Sequence, residues 1–165
     1  MTHVPVLARE TTELLAAQRG ATAVDVTAGA GGHLRLLAEA VGPEGRVLAL
    51  DRDPRAHEDS AAGGVAKEYP GRVTLVRAAF SDLEEVLRDQ GISGVDALLA
   101  DIGVSSMQLD EKARGFSFRE EGPLDMRMDP DSGESAWELL ARLDENEIAD
   151  VLYQLGDEHR SRRVA

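Results

Sequence analysis

Cysteine is absent from this chain, and that absence excludes disulfides, thiolate metal sites and cysteine nucleophiles together. Aromatic side chains are scarce, with one Trp, two Tyr and three Phe, so any of them near a candidate site carries weight. No apolar run approaches the ~18 residues that a membrane helix needs. The opening Met1-Thr-His-Val-Pro5 has neither the basic nor the apolar region of a signal peptide. A cytoplasmic protein with no membrane contact is therefore expected. The four histidines, His3, His33, His57 and His159, show no metal-ligand spacing, and no metal is expected either. Acidic residues outnumber basic ones 31 to 18, for a formal net charge of -13, which argues against a nonspecific polyanion binder because phosphate binding draws on Lys and Arg. Two local basic groups remain. Arg114, Arg119 and Arg127 lie close in sequence, and Arg160, Arg162 and Arg163 crowd the C-terminal end; each group reads equally as a binding surface or as solvated charge among many acids.

What is present is the composition of a globular protein: 42% apolar and 30% charged residues in 165, enough to bury a sizeable core. Four β-prone runs, Ala23 to Val26, Arg46 to Leu50, Arg72 to Val76 and Val95 to Ala100, alternate with helix-compatible segments. That alternation predicts an α/β fold with a parallel sheet, and the continuous apolar character of the runs predicts burial on both faces. Ser81-Asp-Leu-Glu84 and Asp144-Glu-Asn-Glu147 have the form of capping boxes. Ile148, Val151, Leu152 and Leu155 then make one helical stripe, ended by Gly156, which reads as core packing.

Within this pattern, Asp25-Val-Thr-Ala-Gly-Ala-Gly-Gly-His33 is followed about twenty residues on by Val47-Leu-Ala-Leu-Asp51. A strand delivers the backbone into a glycine turn, a helix follows, and the next strand ends in a carboxylate. Glycine at such a turn adopts positive φ and lets backbone N–H groups approach a ligand, while a carboxylate at the second strand end accepts hydrogen bonds from both hydroxyls of a ribose. NAD and S-adenosylmethionine share that arrangement. In the dinucleotide fingerprint a third glycine lies three residues beyond the second, whereas Gly29 and Gly31 are followed by Gly32, His33 and Leu34, which disfavours NAD. A P-loop is excluded by the lack of Gly-Lys-Ser/Thr after the turn. Beyond Asp101 the period is lost, and residues from Ile102 to about Gly133 read as a long loop region with short helical pieces, placed where open α/β sheets bind ligands.

Three segments are more specific: Asp101-Ile-Gly-Val-Ser-Ser-Met-Gln-Leu-Asp110, Arg114-Gly-Phe-Ser-Phe118 and Gly122-Pro-Leu-Asp-Met-Arg-Met-Asp129. With His3-Val-Pro-Val-Leu7, Gly31-Gly-His33 and Asp51-Arg-Asp-Pro54 in the same order, the chain closely resembles the bacterial S-adenosylmethionine-dependent methyltransferases that modify N4 of a cytidine in 16S ribosomal RNA. The resemblance implies a Rossmann-like class I methyltransferase fold with the start of an inserted helical domain. It implies a cofactor-binding domain over 1–104 and a substrate-recognition loop with part of the helical domain over 105–165. Its cofactor contacts fall on Gly31, Gly32 and His33 at the turn, on Asp51 at the ribose, on Phe80 beside the adenine, and on Asp101 and Gln108 near the methionine end. Asp101 is the candidate catalytic acceptor for the cytosine amine, a role that cofactor binding explains equally well. Phe116 and Phe118 are candidates for stacking on an extruded base, and Arg119 and Arg127 for phosphate contact. The alternative is a loop packed on itself, with Asp125 and Asp129 pairing the arginines.

Members of the resembled family are roughly twice as long, and the resemblance stops in mid-helix at Arg162-Arg-Val-Ala165. By that analogy the last three strands are missing and the fourth strand is an exposed apolar edge, a template for homodimer formation. Three readings follow: the family's methylation of 16S rRNA in the small subunit, cofactor binding without catalysis, and self-association through the unfinished sheet.

Overall fold

The four β-prone runs become four parallel strands in a computed structural model of the chain, which describes residues 5–57, 60–119 and 121–165. The motif residues His3 and Val4 lie outside the described residues. The strands are β1 (Thr22–Asp25), β2 (Arg46–Asp51), β3 (Val73–Arg77) and β4 (Ala97–Leu99), and their order across the sheet is β3-β2-β1-β4. The register aligns Val24 with Leu48 on one side and with Leu98 on the other. Helices α1 (Ala8–Leu15), α2 (Gly32–Val41), α3 (Ala61–Glu68) and α4 (Leu83–Asp89) accompany them. The chain divides into two compact units, Met1–Met107 and Gln108–Ala165, and the sheet belongs to the first.

Side-chain alternation sorts the core into two layers. Ala23, Val47, Ala49, Val73 and Ala97 pack with Leu34, Leu37, Ala38 and Val41 of α2 and with Ala62 and Val65 of α3. The opposite layer contains Val24, Val26, Leu48 and Leu50 with Val86 of α4. The first layer is rich in alanine, which lets α2 and α3 approach the sheet closely. Burial on both faces, expected for all four strands, holds for β1 and β2. It fails at the sheet edges, where Thr74 is exposed and Leu98 is 48% exposed, because among the described residues β3 and β4 each have a strand neighbour on one side only. Among the described residues the outer side of β4 has no strand partner.

The second unit contains most of the long loop, then α6 (Ala136–Arg142), α7 (Glu145–Gln154) and α8 (Ser161–Val164), with α5 (Ser106–Asp110) at the junction in sequence. Ser135 and Asp144 both form reciprocal capping boxes: Ser135 Oγ accepts from Glu138 N–H while Glu138 accepts from Ser135 N–H, and Asp144 and Glu147 do the same. The box expected at Ser81 does not form. Asp82 instead reaches back to accept from Ala79 N–H at 3.3 Å, because a short 3₁₀ turn at Phe80–Asp82 displaces the start of α4. The apolar stripe of α7 is also less buried than core packing requires. Val151 is 38% and Leu155 84% exposed, and Ala149 is the buried residue of that helix, since the short helices of this unit cover too little of its face. No helix among the described residues is long and apolar enough to cross a membrane.

Two glycines separate packing from propensity. Gly31, at φ 79°, precedes α2, and a Cβ there would lie 2.7 Å from Ala62 Cα. Gly64, inside α3, has nothing within 4 Å of a Cβ and no positive φ. Gly31→Ala is expected to destabilise the protein by about 2 kcal/mol or more, whereas Gly64→Ala is expected to stabilise it by about 0.5–1 kcal/mol. Urea unfolding of the two variants checks the opposite signs.

Candidate functional site

The strand order places a topological switch between β1 and β4, since successive crossovers run from β1 out to β3 and the chain then returns to the other side of β1. Open α/β sheets bind ligands in the crevice outside the carboxyl ends of strands at such a point. Asp25 ends β1, Asp51 ends β2 and Asp101 follows β4, so three carboxylates gather along one edge of the sheet. Their mutual repulsion reaches Asp25, whose carboxyl feels both others.

Asp51 is held by the backbone from two sides. Its Oδ2 accepts from Gly29 N–H at 2.8 Å and its Oδ1 from Asp53 N–H at 2.9 Å. His57 Nε2 lies 2.9 Å from the Asp51 carbonyl oxygen. Each carboxylate oxygen retains a lone-pair direction, so the group is aimed and still able to accept from a diol. Two amides of the glycine turn have partners within the chain. Gly29 N–H is engaged by Asp51, and Gly31 N–H donates to Ala28 O at 2.7 Å. Gly31 needs its missing Cβ for the approach of α3, and Gly32 needs it for Pro5, whose ring atoms would sit 3.1 Å from a Cβ. The smallness of both residues therefore serves packing.

Asp25 is a residue the sequence reading placed in a strand and passed over. It is fully buried. Its Oδ1 accepts from Thr27 N–H at 3.0 Å and from Thr27 Oγ1 at 3.2 Å, while Oδ2 has no hydrogen-bond partner among the described residues. Thr27 Oγ1 in turn accepts from Asp101 N–H at 2.8 Å. The hydroxyl thus ties the end of β1 to the segment after β4. Burial pushes the Asp25 carboxyl up to about 6, against the Thr27 hydrogen bonds that lower it, and the charges of Asp51 and Asp101 add to the rise. The available signal in the sequence was a carboxylate inside an apolar run, a residue type almost never fully buried unless paired.

His33, in the first turn of α2, is buried and presents Nε2 at 3.8 Å from Asp101 Oδ2. The Asp101 side chain is 56% exposed. Phe80 is 53% exposed after β3, a position open to a planar ligand and unlike the core placement that is the default for a strand-end Phe. Gln108 is buried and lies in the second unit. No group of three His, Asp or Glu side chains among the described residues is arranged to hold a metal ion. The arrangement suits a cationic ligand with a ribose: an unpartnered buried carboxylate oxygen, two further carboxylates and an exposed aromatic ring.

In the second unit, Arg127 is engaged by Asp125. Its guanidinium donates to Oδ1 at 3.0 Å through Nε and to Oδ2 at 2.7 Å through Nη2, and this pairing holds the Asp125 carboxyl below its usual range. Arg114 is buried, with its guanidinium 5.9 Å from the centre of the Phe116 ring. Phe118 is fully exposed, and Arg119 is exposed as well. The loop therefore packs on itself through Arg114 and Arg127 while it leaves Phe118 and Arg119 on its surface.

The family model of MraW methylases matches residues 1–165. The chain belongs to the MraW methylase family. Its relatives include the ribosomal RNA small subunit methyltransferase H of Methylocella silvestris, 53% identical over 99% of this chain and 46% of its own length. That of Acinetobacter baumannii is 46% identical over 100% of this chain and 53% of its own. The chain spans about half the length of these curated relatives. Among solved structures, the Aeropyrum pernix fibrillarin with natively bound S-adenosyl-L-methionine is 18% identical, covers 68% of this chain and 48% of its own, and has a TM-score of 0.48.

The burial of Asp25 carries a cost that can be measured. A carboxyl raised from 3.8 to about 6 on folding contributes its full stability below pH 3.8 and loses it as pH rises through 6, amounting to about 3 kcal/mol at most. Asp25→Asn, which keeps an acceptor for Thr27 and cannot ionise, is expected to be more stable than the parent at pH 7.5, with the difference vanishing by about pH 4. Urea unfolding across that range checks it, and a variant destabilised equally at every pH would refute it.

Proposed function

We propose that the chain is the cofactor-binding and RNA-facing part of an S-adenosylmethionine-dependent methyltransferase acting on N4 of a cytidine in 16S ribosomal RNA of the small subunit. Membership in the family and the names of the relatives support the reaction class. The observation that carries the reading is the unpartnered, buried Asp25 oxygen beside Asp51 and Asp101 at the switch point of the sheet. In this assignment residues 1–104 bind the cofactor and 105–165 contribute to RNA recognition.

When bound, S-adenosylmethionine supplies the methyl group and a positively charged sulfonium leaving group. The chain's own residues hold and orient. Asp51, already aimed by Gly29 and Asp53, accepts the ribose hydroxyls. Phe80 stacks on the purine, and the segment from Gly31 to His33 borders the methionine end together with Asp101. Asp25 acts through Thr27, which fixes the backbone at Asp101, and its negative field favours a cation in the crevice. The lone pair of a cytosine amine is delocalised into the ring, so an acceptor for its N–H makes it a better nucleophile. Asp101, more than half exposed at the crevice, fills that role. Proximity and in-line alignment then account for most of the acceleration. On the loop, Phe118 stacks on an extruded base and Arg119 takes a phosphate. Phe116 and Arg127 support the loop from within, since their side chains are engaged by Arg114 and Asp125.

A second reading, pairing of two copies, draws on the open edge at β4 and the 48% exposure of Leu98. Sedimentation at several concentrations separates the two: a monomer throughout dismisses pairing.

Calorimetry is expected to give a ~10- to 100-fold loss of S-adenosylmethionine affinity for Asp51→Ala, from the lost hydrogen bonds to the ribose. Phe80→Ala is expected to lose about 3- to 10-fold. Transfer of a labelled methyl group to small-subunit rRNA, naked and ribosome-bound, tests the reaction. Asp101→Asn is expected to slow it by about 100-fold or more while changing cofactor affinity less. Cofactor binding with no transfer to either RNA would leave a binding protein in place of an enzyme.

A further inference from the structure

The described residues between 115 and 125 contain no helix or strand, yet the two ends of this segment meet. The carbonyl of Arg114 accepts from Met126 N–H at 3.0 Å. The guanidinium of Arg114 donates through Nη2 to the carbonyls of Arg127 and Met128, at 2.9 and 2.8 Å. One residue therefore grips the returning chain three times. Two of the three bonds come from the guanidinium of a residue only 6% exposed, an unusual use of an arginine. The loop of about 11 residues has the dimensions and closed ends of an Ω-loop.

Further braces lie at the same neck. Gly115, at φ 72°, abuts the Pro123 carbonyl so closely that no Cβ would fit, and Gly122 abuts the carbonyl of Lys112 in the same way. Met126 adopts φ 59° although it is not glycine, a conformation that persists only where the surroundings over-determine it. Asp125 and Arg127 form their ion pair at 2.7 Å beside it. The strain and the buried cation lie at the base of the loop. Between them in sequence lie Phe118, fully exposed, and the exposed Arg119.

We propose that Arg114 is a positioning residue that clasps residues 115–125 into a preformed loop, presenting Phe118 to a base and Arg119 to a phosphate of single-stranded RNA. The inference rests on the RNA reading of this loop given above. An aromatic ring held fully in water gains nothing from the fold, and a loop ordered before binding spares the ordering cost at the moment of contact. Base stacking tolerates many sequences, so Phe118 supplies affinity and Arg119 supplies backbone contact.

The test uses the full chain, a fluorescently labelled single-stranded RNA oligomer containing cytidines, and amide hydrogen exchange. Phe118→Ala is expected to weaken RNA binding by about tenfold. Arg114→Met is expected to approach that loss and to speed exchange across residues 115–126, leaving exchange in the sheet and S-adenosylmethionine affinity unchanged. Arg114→Lys, which reaches one of the two carbonyls, is expected to restore part of both properties and serves as the test variant if Arg114→Met does not fold. In the double variant the losses are expected to be far from additive, because Arg114 acts through Phe118. Additive losses, or unchanged RNA binding in the Arg114 variants, would overturn the clasp. Unchanged RNA binding in Phe118→Ala would overturn the RNA reading itself, and faster exchange in Arg114→Met would then mark the clasp as purely structural.

Discussion

The Thr27 hydroxyl joins two parts of the sheet edge that have no reason of their own to stay in register. It donates to the buried Asp25 carboxylate and accepts from the backbone of Asp101, so the end of the central strand and the start of the long loop move as one piece. The arrangement requires a carboxylate in the interior, and the interior raises that carboxyl to about 6. Near neutral pH the protein therefore holds an ionised group where folding alone would prefer a neutral one. Sites that bind cations carry this kind of tension, because the feature that attracts the ligand is the feature that weakens the empty fold.

The same economy governs the glycine turn. The amides of Gly29 and Gly31 are engaged by Asp51 and by Ala28, and the missing side chains of Gly31 and Gly32 accommodate α3 and Pro5. A ligand at this edge meets a carboxylate that two backbone amides already aim, and no side-chain entropy remains to be lost there. Rigid aim at Asp51, a backbone tie at Asp101 and an exposed ring at Phe80 come from three different strand ends. The parallel sheet is the only element common to them.

How much of this was legible in the sequence depends on whether a feature is local. The strands were readable because apolar runs bounded by turns report on their own neighbourhood, and Asp51 was readable because its spacing from the glycine turn is a property of one βαβ unit. Asp25 was not, since its importance lies in complete burial and in a link through Thr27 to a residue on a distant strand. The packing constraint at Gly31 was not legible for the same cause: the Ala62 backbone that forbids a Cβ arrives from another helix. Arg114, Arg119 and Arg127 formed one basic group in the sequence and three separate cases in the fold. Arg114 is buried, Arg127 is paired with Asp125 and Arg119 is exposed. The stripe on α7 predicted a helix correctly, but periodicity carries no information on how much neighbouring mass is there to cover it.

The tie between Gly29 and Asp51 has a bearing on competition among small molecules. Cells hold large pools of adenine nucleotides that share a purine and a ribose with any adenosyl cofactor and differ from it by their phosphates. A turn with free amides would welcome those phosphates. Here the Gly29 amide is already occupied by a carboxylate, and Asp25 and Asp101 add further negative potential along the same edge. A phosphate at this edge would meet three carboxylates and a Gly29 amide that already has a partner, and charge alone disfavours it there.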